Sequence, residues 1–420
     1  MNMDLLLKNC KLIDKKGEFY IGIDNGKISK ISKLPQEADK IIDINNNIVL
    51  PGLIDPHVHF RDPGMTNKED IKTGSMAAAN GGFTTVIDMP NTKPKTNTLK
   101  AYKEKEKLIK NKSIINTLIH AGINNFDEMN KIAKLNPISF KIFMNEYDDI
   151  ELDEIFKNIS KLDTNPLVTI HGEDKKIIEE NTKKMKEKGT NLPIDHAYAR
   201  PSTAEDVAIE KAIKLSKKYN LKLHVCHLSS RKSEEIIKNN ISDVDISYEF
   251  TPHHLLLEAN SFNKFGNIVK TNPPLRFYGE NITINALNEN SIIGTDHAPH
   301  TVEEKENMIW NCPSGMPNIE TVLSLILTEV NRKNIPLNIV PKILSENAAK
   351  RFNLKNKGKI KENYDGDLTI IDLKKEGTFN LDEFYTKAKF SPFANIPYKG
   401  QAVMTIYDGK VKMDNNIIIE

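Results

Sequence analysis

The stretch VLPGLIDPHVHFRDPG, residues 49–64, runs from an apolar segment directly into three ionisable side chains. His57, His59 and Arg61 follow the apolar residues at alternate positions. Side chains along a β-strand point alternately to opposite faces, so residues two apart share a face. The pattern therefore predicts a buried strand that carries all three polar side chains toward whatever lies at its carboxyl end.

Eight short apolar runs of this kind recur along the middle of the chain. They are GLIDPHVHF, FTTVIDMPN, INTLIHAGI, ISFKIFMNE, LVTIHGED, LKLHVCHL, DISYEFTPHH and SIIGTDHAPH. Longer charged segments with helical periodicity separate them, such as TAEDVAIEKAIKLSKKYN at 203–220. Strand-like runs that alternate with helical segments indicate an α/β protein with a parallel sheet. Eight such units over about 300 residues predict a (β/α)8 TIM-type barrel.

The two ends of the chain have a different, hairpin-like pattern. YIGIDNGKISKI at 20–31 alternates around Asn25-Gly26, and AVMTIYDGKVKMDN at 402–415 is broken by Asp-Gly. Both dipeptides are typical of two-residue β-hairpin turns. We therefore predict one small β-sandwich domain built from residues 1–50 and 351–420, with the barrel of residues 51–350 inserted between its halves.

Composition excludes several classes of protein. The 420 residues carry 59 basic and 57 acidic side chains, a net charge of +2, which argues against binding of nucleic acid. The lysine-rich runs at 101–112 and 182–189 alternate with glutamate and are interpreted as solvated helix faces. Three scattered cysteines form no disulfide or zinc-finger pattern. No apolar run is long enough for a membrane span, so a cytoplasmic protein is expected.

Polar residues stand at the carboxyl end of one run after another. In a (β/α)8 barrel these ends meet on the face that carries active sites. Imidazole and carboxylate groups are the usual ligands of zinc and similar divalent ions, and unpaired buried imidazoles are costly. A divalent-metal site is therefore predicted from five residues: His57, His59, His171, His227 and Asp296.

Lys141, in SFKIFMNE, is the unusual member of this series, because an ammonium group is rarely buried inside a barrel. One interpretation is a lysine whose head group extends to the rim. The other is a neutral amine, favoured by burial beside cations, that reacts with carbon dioxide to form a carbamate bridging two metals. The residues alone leave both interpretations open.

Together these motifs resemble the amidohydrolase superfamily and, within it, dihydroorotases of the long, class I type. The resemblance spans the whole barrel in order. It rests on DPHVHFRDPG, MPNT, FKIFMN, IHGED, HVCHLSS, TPHHL, NPPLR and TDHAPHT. A fold of TIM barrel plus terminal β module is implied, and so is a zinc-dependent cyclic amide hydrolase.

The resemblance also implies a role for each matching position. His57, His59 and Asp296 would hold one zinc ion, His171 and His227 a second, and Lys141 would bridge them as N6-carboxylysine. The family pattern selects His227 rather than His224. Asp296 would also act as acid and base for a metal-bridging hydroxide. The substrate-binding residues would be His59, Arg61, Asn91, Asn272, His300, Ser314 and Gly315.

The implied reaction is the reversible cyclisation of N-carbamoyl-L-aspartate to L-dihydroorotate, the third step of pyrimidine synthesis. An arginine fork beside the metals would bind the substrate carboxylate. The alternative within the superfamily is an allantoinase or hydantoinase. The alternative outside catalysis is a scaffold protein, and such relatives usually lack some of the metal-ligating residues. Some dihydroorotases bind aspartate carbamoyltransferase, so association with that enzyme or with a second copy of the chain is an open expectation, and no sequence feature selects either partner.

Overall fold

The computed structural model describes residues 3–419. Its strands are β1 (Met3–Lys11), β2 (Glu18–Asp24), β3 (Lys27–Ser32), β4 (Ala38–Asp43), β5 (Ile48–Pro51), β6 (Leu53–Val58), β7 (Phe83–Asp88), β8 (Asn116–Ile119), β9 (Ala121–Gly122), β10 (Phe140–Phe143), β11 (Val168–His171), β12 (Leu223–Val225), β13 (Ile246–Phe250), β14 (Ile292–Ile293), β15 (Leu368–Thr378), β16 (Pro397–Tyr407), β17 (Lys410–Asp414) and β18 (Ile417–Ile418). Its α-helices are α1 (Ile71–Asn80), α2 (Leu99–Lys112), α3 (Phe126–Ala133), α4 (Asp149–Ser160), α5 (Lys175–Glu187), α6 (Asp195–Ala199), α7 (Ser202–Tyr219), α8 (Arg231–Lys238), α9 (Pro252–Leu256), α10 (Phe262–Phe265), α11 (Val302–Lys305), α12 (Val322–Asn331) and α13 (Asn347–Arg351).

The two ends of the chain share one nine-stranded sheet. Its order is β18-β17-β16-β15-β5-β1-β2-β3, and β4 pairs with β1. The antiparallel pair of β5 with β15 joins the halves, with Ile48 opposite Ile371. Side chains from both halves, including Leu7 and Ile370, form one hydrophobic core. The predicted β-sandwich from both termini is confirmed as this sheet; residues 1, 2 and 420 of the predicted ranges lie outside the described residues.

Asn25 and Gly26 form the predicted hairpin turn between β2 and β3. Both have positive φ, 48° and 70°, as a two-residue turn with right-handed strand twist requires. Glycine adopts this conformation without strain, and asparagine tolerates it better than most residues.

The barrel contains the eight predicted strands in parallel order. β6, β7 and β8 pair in sequence, and β9 to β14 continue the circle. β8 and β9 are two parts of one strand, interrupted at His120, whose buried ring contacts Pro56 O and Ser139 Oγ. The circle closes where Val58 bridges His297 in parallel. The predicted (β/α)8 barrel is therefore confirmed.

The first barrel strand is shorter than predicted from the alternating polar residues, which extend to Arg61. β6 ends at Val58, and Arg61 has a positive φ of 61°. The backbone after Val58 is held instead by His59 N donating to His297 O at 2.8 Å and Phe60 N donating to Asp88 Oδ1 at 2.9 Å. His57, His59 and Arg61 nevertheless line the same cavity, so their predicted common direction holds although the strand does not continue.

The lysine-rich runs form helices, as predicted, but one lysine is not solvated. Lys105 in α2 is fully buried and its Nζ lies 2.7 Å from Asp88 Oδ2. The interpretation of 101–112 as a purely solvated face is therefore wrong at this residue. Within residues 3–419, no helix has the length and apolar character needed to cross a bilayer.

Candidate metal centre and active-site cavity

A cavity of about 180 Å³ opens at the carboxyl ends of the barrel strands. Ten of the twelve predicted site residues line it: His57, His59, Arg61, Asn91, His171, His227, Asn272, Asp296, Ser314 and Gly315. The other two lie just behind the wall. Lys141 borders an adjacent recess that shares Asn91 and Phe143 with the cavity, and His300 contacts Arg61.

His57, His59 and Asp296 form the first potential ligand group. One donor atom of each lies within 4.8 Å of the others, and all three side chains are buried. Asp296 Oδ1 is 3.1 Å from His59 Nε2 and 3.3 Å from His57 Nε2. Strand β6, the segment directly after it and the turn after β14 supply these groups, which meet because the strands are neighbours in the closed barrel.

The protonation of His59 shows that this group fits a cation. His59 Nδ1 donates to Asn91 Oδ1 at 2.8 Å, and burial lowers the His59 pKa to about 4. A neutral imidazole has only one N–H, so His59 Nε2 presents a lone pair toward the Asp296 carboxylate. These two electron-rich atoms, His59 Nε2 and Asp296 Oδ1, lie 3.1 Å apart and are stabilised when a cation lies between them.

Negative groups around His57 favour positive charge at the same place. Its Nδ1 donates to Glu249 Oε1 at 2.5 Å, which fixes the ring with Nε2 toward Asp296. Burial lowers the pKa of His57, but the charges of Cys226 and Glu249 outweigh it and raise that pKa to about 10. Burial alone would raise the Asp296 pKa, yet the adjacent histidines hold it below its usual range. Asp296 is therefore a carboxylate at neutral pH.

His171 and His227 form the second potential ligand pair. His171 Nδ1 lies 2.9 Å from His227 Nε2, and the ring centroids are 4.7 Å apart. His171 Nε2 donates to Glu173 at 2.8 Å, and Arg200 pairs with that glutamate. A carboxylate on the far nitrogen orients a metal-binding histidine and increases its basicity.

His224, the alternative that strand spacing left open, lies behind the cavity wall. Its Nδ1 contacts Ser247 Oγ at 2.7 Å and its Nε2 contacts Glu249 Oε2 at 3.1 Å. His227, in contrast, lines the cavity, and its backbone has a positive φ of 37° just beyond the end of β12. Glu249 thus supports both His57 and His224 from below.

Lys141 is almost fully buried beside the two histidine groups. Its Nζ donates to Cys226 Sγ at 2.8 Å and lies 5.3 Å from the centre of the Phe143 ring. Of the two interpretations that the residues left open, the rim position is wrong, because the head group is enclosed rather than extended to solvent. Cys226 also forms a second group with His57 and Glu249 whose ligand atoms lie within 4.8 Å of one another.

Arg61 makes one corner of the cavity cationic, and His300 contacts Arg61 there. Arg61 Nε donates to Pro299 O at 3.1 Å, and its Nη2 lies 3.1 Å from His300 Nε2. Burial lowers the Arg61 pKa to about 10, so the guanidinium is charged at neutral pH. Beyond it, Lys68 Nζ pairs with Glu304 at 2.7 Å. An anionic group of a bound molecule would be stabilised in this corner.

The two asparagines are oriented by histidines. Asn91 Oδ1 accepts from His59, and Asn272 Oδ1 accepts from His196 Nε2 at 3.0 Å. Each amide therefore turns its NH₂ group away from its histidine partner. Because both residues line the cavity, these NH₂ groups are placed to donate hydrogen bonds into it.

Several supporting residues were missed from the sequence. Glu173 contacts His171, His196 contacts Asn272, and Arg200 pairs with Glu173, yet none of the three was predicted to belong to the site. Glu173 had a usable signal, since it stands two residues after His171 within the IHGED motif. Arg200 and His196 lie in and after α6, where no local pattern connects them with the cavity.

Comparison with known proteins shows similarity along the full chain. The model of the amidohydrolase family matches residues 48–412. A dihydroorotase from Methanosphaera stadtmanae is 47% identical over 99% of this chain and 97% of its own length. A dihydroorotase from Methanothermobacter thermautotrophicus is 42% identical over 99% and 96%. Among solved structures, the L-hydantoinase (dihydropyrimidinase) from Arthrobacter aurescens has a TM-score of 0.94 at 30% identity, covering 100% of this chain and 98% of that one.

Proposed function

The chain belongs to the amidohydrolase family, and from this premise we propose that it is a dihydroorotase. It is a cyclic amide hydrolase that interconverts L-dihydroorotate and N-carbamoyl-L-aspartate. The relatives that are 42–47% identical over nearly their whole length carry this activity in their names. The single observation that carries the choice of substrate is the buried Arg61 guanidinium, which lines the same cavity as the histidine groups.

Family membership and the ligand geometry imply binding of divalent metal. We propose that the metal is zinc, because imidazole and carboxylate are its common ligands. His57, His59 and Asp296 would hold one ion and His171 and His227 the other, with carboxylated Lys141 between them. When bound, such ions acidify water, so that hydroxide is available as a nucleophile near neutral pH.

Asp296 would move the proton in this reaction. It would take the proton of the attacking oxygen on its carboxylate and deliver it to the ring nitrogen that leaves when the amide bond breaks. The Asp296 carboxylate is ionised before substrate binds, as a proton acceptor must be. The ring closure that forms L-dihydroorotate uses the same proton transfer in reverse.

Arg61 and His300 would bind the substrate carboxylate, together with the NH₂ group of Asn91. His59 also contacts this region through its bond to Asn91. Asn272 and the backbone of Ser314 and Gly315 would face the ring amides from the opposite side. The lining of one cavity by most of these residues supports this arrangement.

We also propose the domain limits 1–50, 51–350 and 351–420 for the two halves of the β module and the barrel between them. The end of β5 at Pro51 and of α13 at Arg351 support these limits. Three free, buried cysteines support a reducing, cytoplasmic setting. Association with aspartate carbamoyltransferase or with a second copy stays a prediction.

The function is tested with purified, zinc-supplied protein and four substrates. We expect turnover of L-dihydroorotate and N-carbamoyl-L-aspartate, and little turnover of allantoin or hydantoin, because neither neutral ring carries a carboxylate for Arg61. Turnover confined to the neutral rings would move the assignment to the hydantoinase group, to which the Arthrobacter aurescens structure belongs. No turnover of any substrate by metal-loaded protein would favour a non-catalytic scaffold.

Replacing Arg61 with methionine should raise KM for L-dihydroorotate by about 100-fold, because charge-assisted hydrogen bonds to the substrate carboxylate are lost. Steady-state kinetics measures this change. Arg61→Lys should give an intermediate KM, since it keeps the charge but not the planar fork. Arg332→Met, at an exposed side chain paired with Glu329, is the control. An unchanged KM in Arg61→Met would remove the carboxylate-binding role.

A further inference from the structure

The loop of residues 309–315 is attached to the barrel by two buried lysines. Lys270 and Lys305 are each only 5% exposed. We propose that their ammonium groups hold this loop in its substrate-facing position, so that both lysines are positioning residues for the carboxylate corner formed by Arg61 and His300. This inference deepens the proposed function and rests on it.

Lys305 donates hydrogen bonds to the end of the loop. Its Nζ donates to Pro313 O at 3.1 Å, to Gly315 O at 3.0 Å and to Lys270 O at 3.3 Å. Three acceptors match the three N–H bonds of an ammonium group, whereas a neutral amine has only two. The contacts therefore require the charged form of the side chain.

Lys270 donates hydrogen bonds to the start and middle of the loop. Its Nζ donates to Ile309 O at 2.5 Å and also to Cys312 O. Its own carbonyl accepts from Gly315 N at 2.8 Å as well as from Lys305. Lys305 thus binds the backbone carbonyl of Lys270, and the two side chains together bind both ends of the same loop. Burial lowers the pKa of each to about 8, which leaves both largely charged at neutral pH.

The loop position determines the carboxylate corner. Ser314 O accepts from His300 Nε2 at 3.0 Å, and the same nitrogen lies 3.1 Å from Arg61 Nη2. Gly315 has a φ of 140°, and a Cβ there would lie 2.5 Å from Ala298 O. A loop this closely fitted to His300 and to the turn after β14 cannot shift without moving the groups that face the substrate.

Lysine, rather than an apolar residue, is needed because the loop turns its carbonyls inward. Buried carbonyl oxygens require donors, and the loop backbone offers few of its own. Lys305 also adds positive potential near Arg61, which favours an anionic substrate. A lysine that only supported the fold would have neither effect on substrate binding.

Trp310 makes the loop directly observable, because it is the one tryptophan in the chain. It lies within the loop, and its Nε1 donates to Asn191 Oδ1 at 2.8 Å. In Lys305→Met we expect lower Trp310 fluorescence anisotropy and a KM for L-dihydroorotate raised about tenfold, as for loss of one strong hydrogen bond. We expect kcat to stay within about twofold, since the proton-transferring groups are untouched.

Lys264→Met is the matched control, because Lys264 is an exposed lysine six residues before Lys270 and should change neither quantity. Lys305→Arg keeps the charge and should recover most of the anisotropy and KM. Two results would overturn the proposal. One is unchanged anisotropy and KM in folded Lys305→Met, and the other is a loss of both kcat and thermal stability while KM is unchanged.

If Lys305→Met does not fold, as judged by circular dichroism, Lys270→Met is measured in the same way, with the same results deciding. The anisotropy needs no substrate. If wild-type protein fails to turn over L-dihydroorotate, the proposed function is lost, while Trp310 still shows whether the lysines hold the loop.

Discussion

Replacing Asp296 with asparagine should reduce kcat for L-dihydroorotate by at least about 10³-fold, equivalent to about 4 kcal/mol of transition-state stabilisation. Asparagine keeps the shape of the side chain but cannot accept the proton of the nucleophile at neutral pH. The loss should appear in both directions of the reaction, because in the proposed mechanism ring closure uses the same group in reverse. Steady-state kinetics with each substrate measures it.

The zinc content of Asp296→Asn distinguishes loss of the base from loss of metal, because the other proposed ligands remain. His57 and His59 keep their orientation through Glu249 and Asn91 in the Asp296→Asn variant. We therefore expect the zinc content at saturating zinc to stay close to that of the wild type. Asp127→Asn, at an exposed residue of α3, is the control. Activity near the wild-type level in Asp296→Asn would assign proton transfer to another group.

The barrel was predictable because its signal is local. Each strand appears as a short apolar run that ends in a polar residue, and parallel strands bring these ends together regardless of loop length. His57, His171 and Asp296 come from distant parts of the chain, yet strand order alone placed them in one cavity. The β module was predictable for a similar reason, since its turns carry Asn-Gly and Asp-Gly.

The supporting network was not predictable, because it depends on long-range pairing that no periodicity records. The charge pattern predicts a solvated helix face for Lys105, but its partner Asp88 lies at the end of a strand 17 positions away. Lys270 and Lys305 stand in segments without any motif, and only the folded loop supplies their carbonyl partners. The backbone after Val58 also departs from the strand pattern where loop contacts hold it.

Replacing Lys141 with methionine should lower bound zinc from two ions per chain toward one and reduce kcat/KM by at least about 10³-fold. The reason is charge. In the proposed centre, four neutral imidazoles and the Asp296 carboxylate offset only one of four positive charges, and the carbamate of Lys141 supplies a second negative charge between the ions. Without it, two divalent cations would repel each other in a buried site.

The proposed carbamate would form when the neutral amine of Lys141 attacks carbon dioxide and one N–H proton leaves. Intact mass measured gently in bicarbonate should therefore show one added carbon dioxide in the wild type and none in Lys141→Met. Methionine retains the unbranched stem that packs near Phe143, so folding should be preserved. Lys222→Met, at an exposed lysine before β12, is the control. Two zinc ions and full activity in Lys141→Met would exclude the bridge, because the ions would then be held by the imidazoles and Asp296 alone.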